Sequence, residues 1–137
     1  MVLAGGHFHV SEIWPVFEEA KRRGVKRFLI NHPESIIQAS MKDIEGFAAF
    51  GAFIEHSIVR FVKGSSFKKY TPEQLREQVA AGTVGKTILA SDCGVKGTLT
   101  PVQGMLEAVE LCLDLGFSEN DVRQMIAGNP KELLGLS

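Results

Sequence analysis

The stretch Lys86-Thr87-Ile88-Leu89-Ala90-Ser91-Asp92-Cys93-Gly94 decides how the chain is read. Thr87 to Ala90 is a short apolar run with β-branched members, and turn-forming residues follow as soon as Asp92 is reached, so the stretch predicts a buried strand that stops at an acid. In parallel α/β sheets, ligands and catalytic groups collect just beyond the carboxyl ends of strands. Asp92 is therefore the first functional candidate, and the remaining strands are to be searched for groups that end beside it.

Working outward, three earlier apolar runs have the same form. Residues 2–8, 25–31 and 51–56 read as strands, with 86–91 as the fourth. The first leads into His7-Phe8-His9. The second, Val25 to Asn31, is halted at His32 by Pro33, which has no N–H for a sheet ladder. The third ends on Glu55-His56-Ser57. Between them lie helical patterns: one opened by Ser11 as N-cap and closed by Lys21-Arg22-Arg23-Gly24, one over Glu34 to Phe47, and one starting at Thr71-Pro72-Glu73 and running to about Ala81. After Asp92, Thr100-Pro101 launches a further helix that stops at Gly116, and Ser118 caps another, ended by Gly128-Asn129-Pro130. The alternation predicts an α/β fold, residues 1–137 forming a single domain of four consecutive βα units with extra carboxyl-terminal helices.

Composition limits the function classes. The chain has 15 Lys and Arg against 16 Asp and Glu, so no basic excess points to nucleic acid or to an anionic membrane. No apolar run approaches the ~18 residues that span a bilayer, and Cys93 and Cys112 lack the close spacing of a disulfide framework or metal knuckle. These features predict a cytoplasmic protein acting on a small molecule. The abrupt start, Met1-Val2-Leu3-Ala4-Gly5-Gly6, reads as a chain entered partway through a fold.

All four histidines fall at predicted strand ends, with Glu55 and Asp92 among them. In parallel strands these ends share one face, so imidazoles and carboxylate could converge on a divalent metal: zinc first, with manganese, iron or nickel also suited. His7 and His9, two apart in an expected strand, would point the same way, whereas Glu55 and His56 are adjacent and must point oppositely. Cys93 reads as a small buried residue rather than a nucleophile. The basic, aromatic segment Ile58 to Tyr70 reads as a solvated loop, the alternative being a lid or a holder of an anionic substrate.

Gly6-His7, Ile30-Asn31-His32-Pro33, Gly51-Ala52-Phe53-Ile54-Glu55-His56, Ile88-Leu89-Ala90-Ser91-Asp92, Gly116 to Asp121 and the tail Asn129-Pro130-Lys131-Glu132-Leu133-Leu134-Gly135-Leu136 together resemble the carboxyl-terminal half of the amidohydrolase superfamily. The resemblance implies half of a (β/α)8 TIM barrel and a metal-dependent hydrolase. His7 resembles that superfamily's strand-five metal ligand, His32 the strand-six ligand and Asp92 the strand-eight ligand and proton carrier. His9 is a further candidate ligand, and His56 and Glu55 would face substrate or support the ligands. The superfamily's strand-one His-x-His pair and strand-four ligand have no separate counterpart, although His7-Phe8-His9 can itself be aligned with that pair. A full barrel takes about 250 residues, so the expected partner is a second copy or a missing amino-terminal half. The contrasting expectation is a non-catalytic half-barrel fragment that binds metal or a small anion.

Overall fold

The computed structural model describes residues 1–136. Four parallel strands lie in sequence order: β1 (Leu3–Ala4), β2 (Phe28–Asn31), β3 (Phe53–Ser57) and β4 (Thr87–Ala90). The registers Leu3 with Phe28, Leu29 with Phe53 and Ile54 with Thr87 align the strands. Their carboxyl ends therefore open at one edge of the sheet. Six α-helices complete the fold: α1 (Val10–Arg22), α2 (Met41–Phe50), α3 (Pro72–Gly82), α4 (Pro101–Asp114), α5 (Glu119–Arg123) and α6 (Asn129–Leu134). No helix is long and apolar enough to cross a membrane among the described residues.

The strands are shorter than their apolar runs suggest, and β1 most of all. It ends at Ala4, Gly5 adds one more bond to Leu29 O, and Gly6 turns the chain at φ +59. His7 and His9 consequently do not sit on a strand, and the same-face argument for them fails. Helix α1 starts before Ser11: His9 is the N-cap, its Nδ1 accepting the Ser11 N–H while its own N–H donates to Glu12 Oε2 at 3.1 Å.

Residues 34–40 are not helical, contrary to the 34–47 expectation. The apolar spacing of Ile36 and Ile37 is outweighed by a stronger start signal at Ser40, whose hydroxyl accepts the Asp43 N–H while Asp43 accepts from the Ser40 N–H at 2.9 Å. The Ser40 hydroxyl, foremost, holds the Asp43 carboxyl below its usual range. Pro33 to Ile37 is instead a turn, and it carries Glu34 into the protein.

Helices cover one sheet face in two buried clusters. Ile13, Phe17, Phe28, Ile30, Ile44, Phe47 and Ile54 pack α1 and α2 on β2 and β3, with Trp14 stacked on Phe47 at 4.0 Å between ring centroids. Leu75, Val79, Leu89, Ala108, Cys112, Val122 and Met125 join α3, α4 and α5 to β4. On the other face, Phe53 and Ile88 are covered by Leu133 of α6. The carboxyl-terminal helix is therefore docked near the strand starts, away from the ends that carry His32 and Asp92.

That docking depends on Asn129. Its buried side chain donates to Val84 O at 2.7 Å and Thr87 O at 2.6 Å, and accepts from Gln124 Nε2 at 2.6 Å. The helical path does not stop at Gly128 as the sequence suggests. It widens into a π turn over Gln124–Gly128 and continues as α6, Pro130 lacking the N–H that an α ladder needs there.

Candidate functional site

β2 and β4 finish alike. His32 and Asp92 follow them with φ of +52 and +51, the left-handed region that non-glycine residues avoid but Asp and His tolerate better than most. Both reversals are tied down by backbone bonds. The His32 N–H donates to Glu55 O at 3.2 Å, and Ser91 O, one residue before Asp92, accepts the Val59 N–H at 3.0 Å.

The reversals bring side chains from three strand ends together. His32 Nδ1 lies 2.6 Å from Ser57 Oγ and 4.0 Å from Asp92 Oδ2, and the His7 ring meets the His32 ring edge-on at 5.0 Å between centroids. His32 is mostly enclosed, its side chain 16% exposed, while Asp92 is 48% exposed. A firmly held imidazole thus faces an accessible carboxylate. His9, engaged with Ser11 and Glu12 as the cap of α1, is exposed.

Behind this group lies a buried pair. His56 Nδ1 is 3.3 Å from Glu34 Oε2, both side chains fully enclosed, and Glu34 Oε1 accepts the Ser57 N–H at 3.1 Å. The Tyr70 hydroxyl donates to the backbone oxygen of Glu34. Burial first, then the nearby Glu34 charge, pushes that hydroxyl above its ordinary range. Glu34 therefore fixes the end of β3, and through Ser57 the ring of His32. His56 has no route to His32 except through this scaffold. Its Nε2 is buried with no hydrogen-bond partner among the described residues.

Glu55 points to the opposite sheet face from His56, as alternation requires, and its Oε1 accepts from Asn31 Nδ2 at 3.2 Å. Cys93 is half-buried rather than buried: its thiol donates to Ser91 O at 3.3 Å, and a Cβ on Gly104 of α4 would meet Sγ at 2.6 Å. Burial, then the Asp92 charge, pushes the Cys93 thiol up, away from the thiolate a nucleophile needs. The segment after β3 is only partly a solvated loop. Ile58, Val59, Phe61 and Val62 are buried, while Lys63, Lys68 and Lys69 are exposed.

Among the described residues no three His, Cys, Asp or Glu side chains already form a metal-holding cluster. His32 stands beside His7 on one hand and Asp92 on the other, with Ser57 as the anchor that sequence reasoning missed. The only signal for Ser57 was its place directly after Glu55-His56. Glu34 carried no signal, because its residues had been assigned to a helix.

The profile of a family of unknown function (DUF6282) matches residues 1–55. That span holds His7, His9, His32, Glu34 and Glu55 and stops short of Ser57 and Asp92. No curated protein and no solved structure matches the chain.

Proposed function

We propose that the chain is a metal-dependent hydrolase of the amidohydrolase type, its four βα units forming half of a (β/α)8 barrel. The observation that carries the reading is that His32, at the carboxyl end of β2, lies beside both His7, which follows β1, and Asp92, which follows β4, in a sheet of parallel strands. Two imidazoles and a carboxylate are a donor set suited to zinc, and to manganese, iron or nickel. The His32 ring is also held in place, as a ligand needs to be, by the 2.6 Å contact between its Nδ1 and Ser57 Oγ. His9, occupied as a helix cap, is the weakest of the proposed ligands, and remaining donors would come from an opposing half-barrel.

A bound divalent ion supplies Lewis acidity, lowering the pKa of water toward ~7 and polarising a carbonyl. Asp92, the accessible carboxylate of the group, takes the proton of the attacking water and passes it to the leaving group. His32, held by Ser57, keeps the geometry on which that transfer depends. Glu55 and Asn31, bonded together on the sheet face opposite α1 to α4, would meet the substrate from inside the barrel.

The test is hydrolysis of an amide, ester and lactone panel by protein loaded with zinc or manganese, with metal content measured by mass spectrometry. Asp92→Asn should retain the fold and lose at least about a hundredfold in turnover, the scale of a removed general base. Undiminished turnover in that variant refutes the mechanism. Metal bound with no turnover on any substrate instead favours the second reading, a non-catalytic half-barrel that binds metal or a small anion.

A further inference from the structure

Beside Asp92 the chain forms a pocket that the proposed hydrolysis leaves unused. Its volume is about 190 Å³ and its lining is Val59, Arg60, Phe67, Asp92 and Val95. Three of the five residues are apolar, one is the proposed proton carrier, and one is a cation. Arg60 stands with its guanidinium carbon 5.8 Å from the centre of the Phe67 ring. Among the described residues it forms no ion pair, Asp92 included.

The backbone under Arg60 is well fixed. Val59 N–H is bonded to Ser91 O, beside the end of β4, and Arg60 O accepts both the Lys69 N–H at 2.8 Å and the Tyr70 N–H at 3.1 Å. The guanidinium is therefore presented from a position set by the same strand end that sets Asp92. The surrounding segment adds positive charge: from Ile58 to Pro72 there are Arg60, Lys63, Lys68 and Lys69 and no acid.

We infer that this pocket receives the carboxylate end of the substrate. The substrate class is a small monoanion with an apolar or aromatic body. Its carboxylate pairs with the Arg60 fork, and its body lies along Phe67, Val59 and Val95. Arg60 suits a carboxylate because its planar guanidinium offers two parallel donors. Arg60 is half-buried beside buried Val59 and exposed Phe67 and Val95, and with no acidic partner among the described residues its guanidinium is open to an anionic ligand. The Asp92 charge across the same small pocket selects against a dianion, so a carboxylate is favoured over a phosphate. The placing of the cleaved bond toward Asp92 rests on the hydrolase reading; the binding of the carboxylate does not.

The test uses the whole chain and three probes of similar shape: phenylacetate, its neutral isostere phenylacetamide, and phenyl phosphate. Affinities are read by calorimetry for the wild type, Arg60→Gln and Asp92→Asn. Phenylacetate should bind at least about tenfold more tightly than phenylacetamide, the scale of one charge-assisted hydrogen-bonded pair. Arg60→Gln should erase that preference, and Asp92→Asn should keep or strengthen it. Equal affinity for the acid and the amide, no binding of either, or tighter binding of phenyl phosphate overturns the inference in the wild type alone, whether or not the variants fold. An unchanged preference in a folded Arg60→Gln protein overturns it as well. Carboxylate-selective binding by a protein that hydrolyses nothing supports the pocket while refuting the hydrolase reading, and turnover of acidic and neutral substrates at equal kcat/KM does the reverse.

Discussion

Replacing Glu34 by alanine strands two buried groups at once. The carboxylate lies 3.3 Å from His56 Nδ1 and accepts the Ser57 N–H at 3.1 Å, with both side chains fully enclosed. Its loss leaves His56 with neither ring nitrogen bonded among the described residues, since Nε2 already has no partner there. Leaving a buried polar group unsatisfied costs about 1–3 kcal/mol, so stranding both takes a large part of the ~5–15 kcal/mol that holds a domain of ordinary stability. Urea unfolding followed by the emission of Trp14, the one tryptophan, measures it. Because a cavity alone would also destabilise, the decisive comparison is a cycle with His56→Leu. If the pair is what matters, Glu34→Ala should cost about 2 kcal/mol less once His56 is apolar. The site should respond too: with Ser57 released, the His32 ring resonances should broaden or shift. A coupling below about 0.5 kcal/mol with unchanged His32 resonances would refute the reasoning.

Two further perturbations test the scaffold. Asn129→Ala removes the bonds to Val84 O and Thr87 O and should lower unfolding stability by about 2–4 kcal/mol by urea titration, while hydrogen exchange loosens α6 before the strands. Cys112 gives a pH test, because burial pushes its thiol from the ordinary 9.0 up to about 11. The unfolded thiol then loses its proton first. Stability is fully present below pH 9 and falls as pH rises toward 11, by about 2–3 kcal/mol. Cys112→Ala should flatten that part of the pH profile relative to wild type.

The alternation of apolar runs with capped helices could be read directly, because period and capping are local. Thr71-Pro72 and Thr100-Pro101 begin α3 and α4 as their sequences predict, each threonine oxygen accepting from a residue three positions on. Strand lengths were less legible. An apolar run shows that residues are buried, and only a neighbouring strand shows which of them are paired, so β1 shrank to Leu3–Ala4. The same limit removed His7 and His9 from the strand they seemed to share. At 34–40 two local signals competed, and the Ser40–Asp43 capping box prevailed over apolar spacing.

For the candidate site, the amino-acid sequence by itself determined the chemical inventory: four histidines and Asp92 at the ends of apolar runs, and an acid-free basic segment at 58–72. The tertiary structure alone decided which of these meet. His32 touches Ser57 because parallel register places the ends of β2 and β3 side by side. Arg60 and Asp92 share a pocket because Val59 is bonded to Ser91 across the sheet edge. Glu34 reaches His56 because a turn, rather than a helix, follows Pro33. Each contact joins residues more than twenty positions apart, and no local preference of the chain encodes such a distance; register and packing do.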